Sequence, residues 1–237
     1  MSRIEGKVVF ITGAGSGIGR SATLKLLADG AKVFGMSRTE AKLDTLRAEA
    51  ASDQLEVFCG DVRNEADVQA AFAGCVEKFG TVDVLLNNAG IGVPTTDLAE
   101  APLEKFEEMF DTNVKGVFLA TREALGIMRP RQSGHIVTVV STAGLRTNPV
   151  APLYCASKFA ARGLSSGLAD QVLAEGIKVT DVNPGPVDTD YWGDRPVPRE
   201  TFLQADDVAD AIMYVLSQPE HVLIRQLDLD SINFLKS

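Results

Sequence analysis

The chain has 237 residues and a formal net charge of −9, and 45% of its residues are hydrophobic. This length suits one large domain over residues 1–237, and the acidic balance argues against nucleic acid as a partner, because phosphate binding needs a basic surface. Three scattered cysteines and two histidines have no spacing typical of a disulfide framework or a metal site. We therefore expect a cytoplasmic protein without a metal, a signal sequence or a membrane span.

Short apolar runs alternate with segments of helical periodicity along the chain. The apolar runs predict strands at residues 7–12, 32–36, 56–60, 82–86, 134–140 and 177–182, and a weaker pattern predicts a seventh at 222–229. The periodic segments predict helices at residues 18–28, 40–51, 65–79, 102–110, 112–128, 152–175 and 206–217. Alternating strands and helices predict parallel pairing, and strands apolar throughout are covered on both faces. The fold class is a doubly wound α/β sheet of about seven strands.

A glycine-rich stretch, TGAGSGIG at residues 12–19, lies between the first predicted strand and the first helix. Glycines let the backbone turn sharply and approach a ligand closely, and the free N–H groups at the start of a helix suit a pyrophosphate. This strand–loop–helix context predicts a Rossmann-like dinucleotide site. The spacing through Gly13, Gly17 and Gly19 is GxxxGxG rather than the commoner GxGxxG.

Ser37 and Arg38 end the second predicted strand, where an acidic residue usually holds the ribose diol of NAD. No acidic residue is present, and an arginine can instead bind a 2′-phosphate. NADP is therefore favoured, with NAD possible, and a surface role for Arg38 stays open. Asp61 and Val62 close the third strand, and the NNAG stretch at residues 87–90 closes the fourth, both at the edge where open sheets bind ligands.

Tyr154 and Lys158 lie four residues apart in a predicted helix, so their side chains share one face. A nearby ammonium stabilises a phenolate and lowers its pKa, which suits general acid or base work. Ser141 ends the fifth predicted strand and Asn113 lies in the helix before it. These four polar residues are expected to converge at one edge of the sheet.

Taken together, these motifs resemble the short-chain dehydrogenase/reductase family, in its branch of one-domain enzymes. The resemblance covers most of the chain and is carried by TGAGSGIG (12–19), Asp61, NNAG (87–90), Asn113, Ser141, YCASK (154–158) and NPG (183–185). It implies that Tyr154 donates or accepts a proton and that Lys158 holds the nicotinamide ribose and lowers the pKa of Tyr154. It also implies that Ser141 holds the substrate oxygen and that Asn113 supports a water in a proton relay.

The resemblance also implies a cofactor-binding set. That set comprises Gly13, Ser16, Gly17, Ile18, Gly19, Ser37, Arg38, Asp61, Val62, Asn88, Ala89, Gly90, Tyr154, Lys158, Pro184, Gly185, Val187 and Thr189. The last four would border the nicotinamide. Many relatives that use NADP have a basic residue at the position of Ser16, so here the NADP prediction depends on Arg38 alone.

The predicted activity is NADP(H)-dependent interconversion of a small-molecule carbonyl and a secondary alcohol. The alternatives are an NAD-dependent alcohol or polyol dehydrogenase, a catalytically idle nucleotide sensor, and a sugar-nucleotide epimerase, for which the chain has no room. The substrate is expected between residues 91–98, 142–152 and 186–202, where Tyr191 and Trp192 either enclose it or pack as a lid, and where Arg146 and Arg195 could attract a carboxylate. The family resemblance further implies a homotetramer or homodimer formed through the helices at 112–128 and 152–175.

Overall fold

The computed structural model describes residues 3–92 and 97–236. The strands of the described residues are β1 (Val8–Thr12), β2 (Lys32–Ser37), β3 (Leu55–Cys59), β4 (Val84–Asn87), β5 (Gly134–Val139), β6 (Ile177–Pro184), β7 (Val187–Asp188), β8 (Leu203–Gln204) and β9 (Gln226–Leu229). Seven of these strands form one parallel sheet in the order β3-β2-β1-β4-β5-β6-β9. β7 and β8 form a separate parallel pair. The Rossmann-like fold predicted from the sequence is confirmed.

Helices cover both faces of this sheet. They are α1 (Gly17–Ala28), α2 (Glu40–Ala50), α3 (Glu65–Phe79), α4 (Leu103–Phe110), α5 (Gly116–Met128), α6 (Pro152–Val172), α7 (Ala205–Leu216) and α8 (Ile232–Lys236). Helices α1, α2 and α7 contribute to one apolar core, and α3, α5 and α6 contribute to the other. Strand β1 serves both cores, because Val9 and Ile11 face the first and Val8 and Phe10 the second.

Helix ends follow signals that are visible in the sequence. The Asn64 side chain accepts a bond from the Ala66 N–H at the start of α3, and Gly80 ends that helix with φ +84°. A capping box between Gln204 and Asp207 starts α7. Among the described residues, no helix combines the length and the hydropathy needed to cross a bilayer.

Several local features differ from the sequence prediction, among them β8 and α8, which it did not include. A π-helical turn, Asp111–Lys115, joins α4 to α5, and β6 continues to Pro184. The segment at 184–202, which has no period in the sequence, contributes β7, and β9 starts at Gln226 rather than near 222. The order of strands reverses between β1 and β4, so the crevice at their carboxyl ends is the expected ligand site.

Candidate active site

The glycine loop after β1 is held in place by Asn88, which follows β4. The Asn88 side chain donates to the carbonyls of Thr12 and Gly13 at 3.0 and 3.2 Å. The Thr12 hydroxyl accepts from the N–H groups of Asn88 and Ala89 at 3.0 and 3.1 Å. A Cβ at Gly19 would overlap the Gly13 carbonyl and the Asn88 amide. Asn88 thus holds the glycine loop in position. The sequence predicted Asn88 as a cofactor contact and did not predict this positioning role.

The loop leads directly into the first turn of α1. Ser16 precedes that helix, and its side chain makes no capping hydrogen bond. Gly13 and Gly17 have φ of +72° and +52°, in the region that glycine adopts without strain. The first N–H groups of α1 are therefore directed toward the space beside the loop, as anion binding requires. The Ile18 side chain is partly buried and packs against the core.

A cavity of about 310 Å³ lies beside the loop. It is lined by Gly15, Ser16, Gly17, Arg20, Lys42, Thr45 and Asp190. The glycine loop, the exposed helix start and two cationic side chains fit the phosphates of a dinucleotide. Arg20, Lys42 and Asp190 were not among the predicted site residues, because only the tertiary fold brings α2 and the segment after β7 to this loop.

The ends of β2 and β3 lie on the adenosine side of the predicted site. Arg38 is exposed, and the Ser37 hydroxyl lies 3.0 Å from a Cβ built on Gly15. Asp61 accepts bonds of 2.6 to 3.0 Å from the Arg63 guanidinium. Burial raises the pKa of the Asp61 carboxyl, but the bonds from Arg63 outweigh it and the net pKa is lowered. The Val62 side chain is buried in the core, which leaves its backbone at the site.

Tyr154 and Lys158 lie one turn apart near the start of α6, as their spacing predicts. Lys158 is 6% exposed, and its Nζ donates to the Val139 carbonyl at 3.1 Å. The distance from that nitrogen to the centroid of the Tyr154 ring is 5.8 Å. A Cβ at Gly90 would lie 3.4 Å from the same nitrogen, so the end of β4 and the start of α6 meet at this ammonium.

The pKa shifts at this pair differ from the prediction made from the sequence. Burial raises the pKa of the Tyr154 phenol well above its usual value, Tyr191 raises it further, and the Ser141 hydroxyl opposes both. Burial also lowers the pKa of Lys158 to about 8. The net shift of the Tyr154 pKa is therefore upward rather than downward, because spacing places two side chains together without revealing how dry their surroundings are. The lowering contribution expected from Lys158 stays a prediction.

Ser141 follows β5 with φ +154° and ψ +159°, a combination that is unusual for a residue other than glycine. Its hydroxyl donates to the Pro184 carbonyl at 3.2 Å and accepts from the Ala143 N–H at 3.1 Å. It also interacts with the Tyr154 hydroxyl. The strained backbone thus directs the Ser141 hydroxyl toward the space between β6 and α6.

Asn113 lies in the π-helical turn, and turns of this kind are frequent at functional sites. Its side-chain oxygen accepts from the Ile91 N–H at 2.8 Å, and its nitrogen donates to the Ile91 carbonyl at 2.8 Å and to the Ser157 hydroxyl at 3.0 Å. Ser157 in turn donates to the Tyr154 carbonyl at 2.8 Å. Asn113 therefore ties the segment after β4 to α6, and Ser157 is a positioning residue that the sequence analysis did not single out.

The segment after β6 packs against the glycine loop. The Thr189 Cγ2 lies 3.0 Å from a Cβ built on Gly17, which places this segment against the glycine loop. Gly185 donates its N–H to the Leu229 carbonyl at 2.7 Å, and Val187 is buried. These contacts bring Pro184, Gly185, Val187 and Thr189 to the same edge as Ser141, as expected.

Tyr191 and Trp192 have different roles in this segment. The Tyr191 and Tyr154 ring centroids are 5.8 Å apart, the two hydroxyls interact, and a Cβ at Gly92 would overlap the Tyr191 hydroxyl. Trp192 donates its indole N–H to the Val187 carbonyl at 2.8 Å and packs on Phe202. Tyr191 therefore lies beside Tyr154, whereas Trp192 packs against Val187 and Phe202.

The two arginines considered for substrate binding are already engaged. The Arg195 guanidinium lies 4.9 Å from the ring centroids of both Tyr191 and Trp192, and Arg146 pairs with Asp230 at 3.5 Å. Residues 93–96 of the predicted substrate wall lie outside the described residues. Within the described ranges, no group of three or more His, Cys, Asp or Glu side chains could hold a metal.

A model of the short chain dehydrogenase family matches residues 7–198. The chain belongs to the short-chain dehydrogenase/reductase family. An uncharacterised oxidoreductase of Staphylococcus haemolyticus is 33% identical over 227 residues, 96% of this chain and 98% of that protein. One from Staphylococcus aureus strain USA300 is 31% identical over the same shares. The predicted family is thus confirmed, and this short-chain dehydrogenase/reductase is an oxidoreductase.

Solved structures of short-chain dehydrogenases/reductases have the same fold over nearly the whole chain. A 3-ketoacyl-(acyl-carrier-protein) reductase from Brucella melitensis, complexed with NADH, has a TM-score of 0.90 and 31% identity over 97% of this chain and 99% of that one. An alcohol dehydrogenase from Thermococcus sibiricus, complexed with 5-hydroxy-NADP, has a TM-score of 0.87 and 31% identity over 96% and 97%.

Proposed function

We propose that this short-chain dehydrogenase/reductase uses NADP(H) to interconvert a ketone, an aldehyde or a 3-oxoacyl group with the corresponding alcohol. The observation that carries the proposal is the convergence of Ser141, Tyr154 and Lys158 beside the glycine loop. A hydroxyl, a phenol and a buried ammonium are the groups that a carbonyl oxygen needs when negative charge grows on it. The reductase and the alcohol dehydrogenase with the same fold support this class of substrate.

The residues of the chain fit a nicotinamide dinucleotide. The N–H groups at the start of α1 would hold the pyrophosphate, and Lys158 would hold the nicotinamide ribose, with Arg38 and the cavity cations on the adenosine side. When bound, the cofactor supplies or accepts the hydride. Complexes of the same fold with NADH and with 5-hydroxy-NADP support either nicotinamide cofactor, and Arg38 favours the phosphorylated one.

In the reducing direction, the Ser141 hydroxyl rotates from the Pro184 carbonyl toward the substrate, and Ser141 and Tyr154 donate hydrogen bonds to the substrate carbonyl oxygen. These bonds strengthen as the oxygen becomes negative, which lowers the barrier. Tyr154 then gives its proton to that oxygen. Because burial raises its pKa, the Tyr154 phenol stays protonated at neutral pH, which is the form that reduction needs.

In the oxidising direction, Tyr154 must first lose its proton. The raised pKa of its phenol opposes this at neutral pH, whereas the Ser141 bond favours it. Lys158 stabilises the phenolate only in its ammonium form, and burial lowers its pKa to about 8. The site therefore favours reduction near neutral pH. We expect oxidation to speed up as the pH rises toward the Lys158 pKa of about 8, above which the support of the ammonium for the phenolate is lost.

The test is a panel of ketones, aldehydes and 3-oxoacyl thioesters, each supplied with NADPH or with NADH. Consumption of the reduced cofactor is followed by its absorbance, and the alcohol product is identified by mass spectrometry. The proposal predicts reduction of at least one carbonyl class, with the larger kcat/KM for NADPH. A larger kcat/KM for NADH would support the NAD-dependent alternative, and turnover in neither case would favour the idle nucleotide sensor.

A further inference from the structure

The cavity beside the glycine loop contains a cation that the family motifs do not mark. Lys42 belongs to α2, and its Cβ lies 3.1 Å from a Cβ built on Gly15. The Ser37 hydroxyl approaches the same point at 3.0 Å. Lys42 therefore lies between the glycine loop and the end of β2, which is where the proposed cofactor would place its adenosine ribose.

The ammonium of Lys42 has one partner on the opposite wall of this cavity. Its Nζ lies 2.9 Å from Asp190, and the two side chains are 42% and 75% exposed. Lys42 lowers the pKa of the Asp190 carboxyl, so Asp190 is ionised at neutral pH. An exposed ion pair of this kind stabilises little and exchanges readily. A phosphate monoester carries nearly two charges and three acceptor oxygens, so it competes well for the same ammonium.

The other cations near the loop are engaged differently. The Arg20 guanidinium pairs with Glu49 on α2. The charge of Arg38 acts on Asp61, on the side of β3. Of these three cations, Lys42 is the one paired with a carboxylate that lines the same cavity, that of Asp190.

We propose that Lys42 is a second cation for the 2′-phosphate of NADP, and that Asp190 competes with this phosphate for it. The inference rests on the proposed function, since it concerns the phosphorylated cofactor. It also assigns Asp190 a role in cofactor choice. Its carboxylate repels a phosphate in the same cavity and competes for Lys42, so Asp190 weakens NADP binding more than NAD binding.

Calorimetric titration with adenosine 2′,5′-bisphosphate and adenosine 5′-monophosphate tests this without any catalytic step. Lys42→Met should weaken binding of the bisphosphate about tenfold, the loss of one charge-assisted bond. Asp190→Asn should tighten bisphosphate binding about threefold or more, because a competitor is removed. Both substitutions should change binding of the monophosphate much less than binding of the bisphosphate, because the monophosphate lacks the 2′-phosphate.

The matched controls are Lys25→Met and Asp210→Asn, which remove the charges of another exposed pair, at 2.7 Å between α1 and α7. They should leave both affinities unchanged, and thermal unfolding should show that all variants fold. Equal bisphosphate affinity in the wild type and Lys42→Met would overturn the role of Lys42. Weaker binding in Asp190→Asn would overturn the competition. If the wild type itself does not prefer the bisphosphate, the NADP preference fails instead, while the dehydrogenase activity is judged by the substrate panel.

Discussion

Lys158→Met should make the folded protein more stable while destroying its activity. Lys158 is buried, and that burial lowers the pKa of its ammonium from 10.5 to about 8. The folded state therefore disfavours the charged side chain that the proposed mechanism needs. Methionine has a similar length and no charge, so it removes the free-energy cost of burying the ammonium while it preserves much of the packing.

The magnitude follows from the pKa. A fall from 10.5 to about 8 corresponds to about 3.4 kcal/mol, at about 1.36 kcal/mol for each pKa unit. The variant also loses the bond to the Val139 carbonyl, which costs about 1 kcal/mol. The expected net gain in the free energy of unfolding is about 2 kcal/mol near pH 7.

The pH dependence has a definite sign. Between the folded and unfolded pKa values, the unfolded chain binds more protons at Lys158, so the wild type gains stability as the pH rises through that window. The advantage of Lys158→Met should therefore be largest below the folded pKa of about 8 and should nearly vanish by about pH 9.5. Urea unfolding at fixed protein concentration, at both pH values, measures the difference.

The matched control is Lys7→Met, because Lys7 is exposed. This control should show little difference in stability from the wild type at either pH. If Lys158→Met is less stable than the wild type near neutral pH, or if its advantage does not change with pH, then burial does not penalise the Lys158 ammonium as inferred here.

Three further predictions address the cofactor, the acid–base group and the assembly. Arg38→Ala should lower kcat/KM for NADPH much more than for NADH, since only NADPH has a 2′-phosphate that loses its arginine partner, and equal losses would remove the basis for the NADP preference. Tyr191→Phe should move the alkaline rise of the oxidation rate to lower pH, because Tyr191 raises the pKa of Tyr154; an unmoved profile would contradict that contact. Light scattering should show a tetramer or a dimer, since Phe118 and Phe159 are exposed on α5 and α6, and only a 25.3 kDa species would refute assembly.

The sequence predicted the elements well because their signals are local. Runs such as VVFIT in β1 depend only on neighbouring residues. The π-helical turn around Asn113 was not predicted, because it is set by the bonds from Asn113 to Ile91 and Ser157, which lie far away in the chain. The alternation over residues 222–229 is weak, and the predicted start of β9 at residue 222 therefore lies before the observed start at Gln226.

The predicted site residues do meet at one edge of the sheet, and their individual roles remain predictions. Lys42 and Asp190 were not predicted as cofactor residues, because only the tertiary fold brings α2 and the segment after β7 to the glycine loop. Tyr191 was predicted to enclose the substrate or to pack as a lid, and its contact with Tyr154 appears only in the folded chain. The upward net shift of the Tyr154 pKa was not predicted for a related reason. The four-residue spacing predicts a shared face, but the burial that raises the pKa depends on every element packed around the phenol.

Single-turnover hydride transfer by Tyr154→Phe tests the central claim most directly. NADPH is mixed in excess with the enzyme and a carbonyl from the panel, and cofactor affinity is measured separately by fluorescence titration. Without its proton donor, the variant should lose at least about a hundredfold in rate, and it should bind NADPH about as tightly as the wild type. If Tyr154→Phe retains more than about a tenth of the wild-type rate, a difference of only about 1.4 kcal/mol, Tyr154 is not the proton donor.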